Sequence, residues 1–273
     1  MRVRSISSAV AGAAALALAL TACGGGGGGE DDGTITIGVK YDQPGLGLEE
    51  GAGQPVGLDV DVATYIAGEL GYEPEQITWT EAASANRETF LQQQTVDMVV
   101  ATYSITDERK ELVDFAGPYY VAQQDILVQE GNEDITDAES LAGNVLCSAS
   151  GSRSAETITD TLEIDAETRE AQNYSECLQL LTDGQVDAVT TDNTILAGFA
   201  AQQPGTFQLL GQELQEERYG VGLPKGSTER CEQVNAAITQ MYEDGSAEEF
   251  LNTHFGEANF EFSTEAPELD TCA

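Results

Sequence analysis

Basic residues are scarce in this chain: 11 lysines and arginines stand against 48 aspartates and glutamates, a formal charge of −37. Without a basic face for phosphates, nucleic acid is excluded as a partner. The excess of acid suits a salty, strongly screened habitat and bears on solubility rather than on fold. Histidine is nearly missing too, with His254 the single one, and no Cys-x-x-Cys or Cys/His spacing occurs. Imidazole-based catalysis and Cys/His metal centres therefore lose their usual groups, and no metal or cofactor is expected. After the first 22 residues no apolar run is long enough to span a bilayer.

The apolar run that is present lies at the start. Arg2 and Arg4 precede an apolar segment, residues 9–20, and Leu20-Thr21-Ala22-Cys23 closes it. This pattern reads as a secretory signal over 1–22. Its end resembles a bacterial lipobox, which implies cleavage before Cys23 and diacylglycerol on its sulfur. The alternative is an ordinary cleaved signal followed by a free cysteine. Residues 23–33, with six glycines and Glu30-Asp31-Asp32-Gly33, read as a flexible tether without a core-forming side chain. Losing Arg2 and Arg4 moves the charge from −37 to −39 and leaves nine bases against the 48 acids. The remaining body, about 240 residues, suffices for two domains with separate cores.

Beyond Cys23 there are four cysteines, Cys147, Cys177, Cys231 and Cys272, which suit an exported protein and allow three pairings. Cys147 with Cys177 is favoured, because a strand end and the next helix lie close in an α/β unit. Cys231 with Cys272 would then pin the C-terminal tail to a helix. Each bridge should add roughly 2–4 kcal/mol.

Strand and helix patterns alternate along the body. Residues 35–39 alternate as a strand; Asp59 can cap a helix with Val62, Ile66 and Leu70 on one face, closing at Gly71; residues 77–79 form a second strand. Asn86 can cap a short helix carrying Phe90 and Leu91 inward, and a strand over 96–101 follows. After Pro118-Tyr119-Tyr120 the alternation resumes from 125, with strands at 144–148, 167–171, 186–191 and 206–210 and helices at 152–163, 174–183 and 192–203. A return strand, 219–224, precedes a helix from Ser227 and a last one ending at Phe255-Gly256. The alternation predicts two α/β halves with mostly parallel sheets covered by helices.

The chain is organised around Thr102-Tyr103-Ser104-Ile105-Thr106-Asp107-Glu108-Arg109. Thr106 can cap a helix there, which puts Arg109 in the first turn, where the helix dipole disfavours a cation by roughly 0.3–1 kcal/mol. Beside backbone N–H groups a guanidinium forms a seat for an anion, so Arg109 reads as a carboxylate clamp. Arg87 and Arg153 are also placed in first helical turns, Arg153 after a Ser150-Gly151-Ser152 turn that can form an anion nest. The alternative for each is an ion pair on its own helix, with Glu88, Glu111 (or Asp107) and Glu156 respectively.

Together with Asp114-Phe115-Ala116-Gly117-Pro118-Tyr119-Tyr120, Gly57-Leu58-Asp59-Val60-Asp61-Val62-Ala63 and Val186-Asp187-Ala188-Val189-Thr190-Thr191-Asp192, this stretch resembles the amino-acid-binding extracytoplasmic solute-binding proteins of ABC importers. The resemblance implies a two-lobed periplasmic-binding-protein-like α/β fold. Lobe 1 would comprise 34–118 plus 220–273, lobe 2 would comprise 125–214, and 119–124 and 215–219 would form a two-crossover hinge. It also implies a permease with its ATPase as partners, and a lipid-anchored place on the outer face of the cytoplasmic membrane.

Site residues carry over one by one. Arg109, Ser104 and Thr102 match the holders of the ligand α-carboxylate, and Asp192 matches the acid that takes the α-ammonium. Asp187 is the weaker choice, being placed to cap or to face solvent. Ser150, Gly151 and Ser152 match a contact loop of the second lobe; Arg153 departs from the small residue usual next to it. Lys40 stands where relatives taking cationic or neutral amino acids carry an aspartate, and Arg87, with Ser84 before it, matches a second base in binders of acidic amino acids. Two cations at the side-chain end select a carboxylate, so L-glutamate is expected as ligand, with L-aspartate second. Tyr41 and Tyr103 are placed to wall its aliphatic part. Two other classes fit the fold: a dehydratase, for which no nucleophile–base pair stands out, and a sensing module presented to a receptor.

Overall fold

The computed structural model describes residues 33–51, 53–256 and 261–272. The signal segment, Cys23 and all of the tether before Gly33 lie outside the described residues. Among the described residues no helix is long and apolar enough to cross a membrane.

The first elements are strand β1 (Ile35–Val39), the small hairpin β2 (Asp42–Gln43) and β3 (Gly47–Leu48), helix α1 (Leu58–Glu69), strand β4 (Ile77–Glu81), helix α2 (Arg87–Gln92), strand β5 (Met98–Val99) and helix α3 (Asp107–Lys110). Leu58, Val62 and Ile66 recur every fourth residue of α1 and are buried, the spacing that lays one helical face on a sheet. Asp59 does not cap this helix. Gly57 occupies the cap position, and the Asp59 carboxylate instead accepts the Thr102 backbone N–H at 2.8 Å and the Tyr119 hydroxyl at 2.6 Å. Asn86 likewise precedes α2 without a side-chain cap bond. Thr106 does cap α3, accepting from the Arg109 backbone N–H, although the helix is a single turn.

Strand β6 (Asp114–Gln129) follows. Then come β7 (Val145–Ala149), the short α4 (Ser154–Glu156) running into a wider turn over Thr157–Thr161, β8 (Glu167–Ala171), α5 (Tyr174–Thr182), β9 (Ala188–Asp192), α6 (Asn193–Gln202), β10 (Phe207–Leu209), β11 (Glu216–Leu223), α7 (Thr228–Glu243) and α8 (Ser246–Phe255). The strands are ordered β4-β1-β5-β11-β6-β9-β7-β8, with β10 also on β6. Pairing is parallel within β4-β1-β5 and within β9-β7-β8, and antiparallel where β11 and β6 join them.

Strand β6 is continuous through 119–124, where the sequence suggests a break. Its first part pairs with β11 and its last part with β9 and β10, so two sets of partners keep one strand extended. Separate apolar clusters lie to either side, one around Leu91, Tyr103 and Phe115 and the other around Ile126, Val128 and Leu146, beside a large shared core. Cys147 is bonded to Cys177, tying β7 to α5, and Cys231 to Cys272, tying α7 to the tail.

The β1 and β7 sides touch through main chain. Gly151, with φ +77°, lies so close to the 84–85 segment that an added Cβ would sit 2.5 Å from the Ala85 Cα. Only glycine fits both that conformation and that approach. Asp42, from the hairpin, reaches the start of α5 and accepts the Tyr174 N–H at 3.2 Å.

Candidate functional site

Between the two sides lies a cavity of about 290 Å³, the size at the low end of small-molecule sites. Ser84, Arg87, Thr102, Ser104, Arg109, Ser152, Arg153 and Asp192 line it, eight of the eleven ligand positions expected from sequence. Lys40, Ser150 and Gly151 do not. Lys40 lies one side chain behind the wall, buried, with its Nζ donating to the Ser84 Oγ at 2.6 Å. Ser150 continues the β7–β8 pairing through its backbone N–H. Gly151 contributes its carbonyl, not a cavity surface: Arg109 Nη2 donates to it at 3.2 Å and Arg87 Nη2 at 3.5 Å.

The cationic wall belongs to the β1 side. Arg109 donates from Nη1 to the Ser104 carbonyl at 2.8 Å, and its Nε pairs with Glu88 at 3.3 Å. The pairing with Asp107 or Glu111 weighed from sequence is replaced by one with the neighbouring helix. Three of its five N–H donors thus have described partners, and two remain for an anion. Arg87 is more committed. It donates to the carbonyls of Ser84, Ala101 and Thr102 as well as Gly151, which leaves one donor. Both guanidinium groups stack on the buried Tyr103 ring, 4.3 and 5.1 Å from its centre. Tyr103 is thus a platform beneath the cations rather than a wall of the cavity; Tyr41 is partly buried and outside the cavity. Burial, then the nearby Arg109, lowers Arg87 to about 10, a range in which it still carries its charge at neutral pH. Burial, then Arg87, lowers Lys40 to about 7.

Thr102 holds a left-handed conformation, φ +44°, which costs a β-branched residue on the order of 1–3 kcal/mol. The Asp59 carboxylate on its N–H keeps it there. That conformation faces Thr102 to the cavity and its carbonyl to Arg87.

The anionic wall comes from β9 and β11. Asp192 ends β9 and accepts the Tyr219 hydroxyl at 2.6 Å, while Tyr219 in turn meets Thr194 Oγ1 at 2.8 Å. Glu217 on β11 is buried in the same cavity beside Ser104 and within 3.4 Å of the Gln215 amide. Burial, then the charge of Glu217, raises Asp192 to about 8; burial raises Glu217 as well. Asp187 is elsewhere, accepting the Val145 N–H at 2.7 Å.

Arg153 is half exposed at the rim. It precedes α4 instead of entering its first turn, and pairs with Glu156 at 2.7 Å and at 4.0 Å with Glu108 from the other side. The ion-pair alternative therefore describes it, although it also lines the cavity.

Sequence reasoning missed Glu217, Tyr174 and Gln215. The available signal for Glu217 was its alternation with Tyr219 on one strand face, obscured in a chain with 48 acids.

A charged cleft between two α/β sides, with guanidinium groups on one wall and carboxyls on the other, defines a binding protein for a small charged solute. The chain belongs to the bacterial extracellular solute-binding proteins, family 3, whose model matches residues 35–257. Among its relatives is the glutamate-binding protein GluB of Corynebacterium efficiens, 44% identical over 83% of this chain and 80% of that protein. The glutamine-binding protein GlnH of Bacillus subtilis is 35% identical over 80% of each. An ancestral arginine-binding protein bound to arginine superposes with a TM-score of 0.76 at 32% identity, covering 82% of this chain and 99% of that one.

Proposed function

We propose that the protein is the substrate-binding component of an ABC amino-acid importer, with L-glutamate as preferred ligand and L-aspartate second. The observation that carries this reading is the opposition of two buried residues, Arg109 and Asp192, across one cavity, which suits both charges of an amino-acid zwitterion. Arg109, with Ser104 and Thr102, takes the α-carboxylate; Asp192 takes the α-ammonium. The remaining Arg87 donor and the Ser84 hydroxyl receive the side-chain carboxylate. Because Lys40 donates into the Ser84 oxygen, the Ser84 proton is free to point at an anion. Similarity to GluB supports the same ligand class.

Lobe 1 (34–118 and 220–273) carries the cations and lobe 2 (125–214) carries Asp192. The paired segments 119–124 and 215–219 serve as hinge, consistent with β6 and β11 running between the two sides. Ligand contact with both lobes favours the closed form, in which the Gly151 carbonyl reaches both arginines, and the permease recognises that form. Lipid on Cys23 keeps the protein at the membrane. We read the chain as a binder and not an enzyme: His254 pairs with Asp61 at 2.6 Å away from the cavity lining, and all four described cysteines are bridged.

Calorimetric titration of residues 34–273 with L-glutamate, L-aspartate, L-glutamine and L-arginine tests the reading. Glutamate is expected to bind tightest. Binding of glutamine or arginine with no response to glutamate would overturn the ligand assignment.

A further inference from the structure

Glu217 is a buried acid in the cavity that the zwitterion reading does not use. Its position is fixed by register. On β6, Ala122 pairs with Glu217 of β11, and Gln124 pairs with Asp192 of β9. Residues two apart on a strand share a face, so the two carboxyls flank β6 on its cavity side. Both are buried, and Tyr219, two residues beyond Glu217 on β11, donates to Asp192. Two carboxyls in one low-dielectric site resist ionising together, unless cations compensate them.

The cations that face the pair are Arg87 and Arg109, with Tyr174 of α5 and Tyr219 as the other titratable neighbours. Neither arginine is dedicated to it. Arg109 pairs with Glu88, and Arg87 spends four donors on main-chain carbonyls. Rim groups Arg153 and Glu108 face each other at 4.0 Å.

We propose that Glu217 joins Asp192 in a two-carboxylate seat for the ligand's α-ammonium, and that the pair holds a shared proton which it gives up to solvent when the ammonium enters. This rests on the amino-acid-binding reading above and extends it to a second ammonium ligand and a proton count. The raised titration ranges of both acids agree with the geometry. The balance is simple: the ligand keeps its three N–H bonds, one carboxyl O–H breaks, and the proton leaves to buffer.

The test is calorimetry with L-glutamate at pH 7 in two buffers of different ionisation enthalpy. Wild type should release roughly half to one proton per ligand bound, with affinity rising up to about tenfold per pH unit between roughly pH 6 and 8. Glu217→Gln should still bind, with a Kd raised on the order of tenfold, while its proton release falls toward zero; Glu217→Asp should restore release. Wild-type binding with no proton release, or undiminished release in Glu217→Gln, would overturn the proposal and leave the binding reading standing. Failure of any amino acid to bind would overturn both.

Discussion

The two walls of the cavity are built on opposite principles. On the β1 side, Arg87 is held by uncharged main-chain carbonyls and Arg109 by the Ser104 carbonyl together with one carboxylate, Glu88, with the face of Tyr103 beneath both, so the two cations meet a single described counter-charge. On the other side, Asp192 and Glu217 are buried with each other and are pushed toward their neutral forms. A charged wall is thus set in advance, whereas burial favours the neutral forms of the opposing carboxyls, which on the proposal above gain their full charge when the ligand's ammonium arrives. On the proposed ligand assignment, the contrast lets a strongly acidic protein take an acidic ligand: its anions are muted where its few cations converge.

The largest effect should come from the charged wall. Arg109→Ala is expected to weaken every amino-acid ligand by about 2–5 kcal/mol, roughly thirtyfold to several thousandfold in Kd, because it leaves a buried carboxylate without its main partner. Near-wild-type affinity in calorimetry would place Arg109 outside the ligand shell.

Lys40 sharpens the comparison, since its Nζ meets the Ser84 hydroxyl behind the wall and does not line the cavity. Lys40→Met should weaken glutamate by about tenfold and glutamine by less. The same change should raise the melting temperature of the ligand-free protein. The sign follows from linkage: the folded state lowers Lys40 from 10.5 to about 7, so the unfolded chain binds the extra proton between those values and stability rises with pH through that window. The penalty is present in full below about pH 7, and the gain from Lys40→Met should be greater at pH 6 than at pH 10. A gain independent of pH would argue against burial of the charge as its source.

The smallest effect belongs to the rim. Arg153→Ala should change glutamate affinity by less than about fivefold, since its ion pairs are half exposed and such pairs contribute about 0–1 kcal/mol. A loss comparable to that of Arg109→Ala in the same titration would move Arg153 into the ligand shell.

The asymmetry between the walls also governs what could be read from sequence. Arginines at helix starts stand out when bases are scarce, which is why Arg87 and Arg109 were identifiable, and the alternating pattern revealed the α/β elements. Glu217 had no such contrast. Depth was also invisible: strand periodicity places Lys40 at the end of β1 but not behind Ser84, a contact spanning 44 residues. Asp59 shows long-range structure overriding local propensity. A residue suited to capping α1 is used instead to hold the left-handed Thr102, 43 positions away. Likewise the commitment of Arg87 to main-chain carbonyls depends on how three separate segments converge, which no local pattern records.

The most direct test of opposed charged walls removes the ligand's charges one at a time. Titrations with L-glutamate, with L-glutamine (side-chain charge removed) and with glutarate (ammonium removed) should give glutamate the lowest Kd. Each deletion should cost at least about tenfold, or 1.4 kcal/mol. Equal affinities for the three ligands would contradict the account.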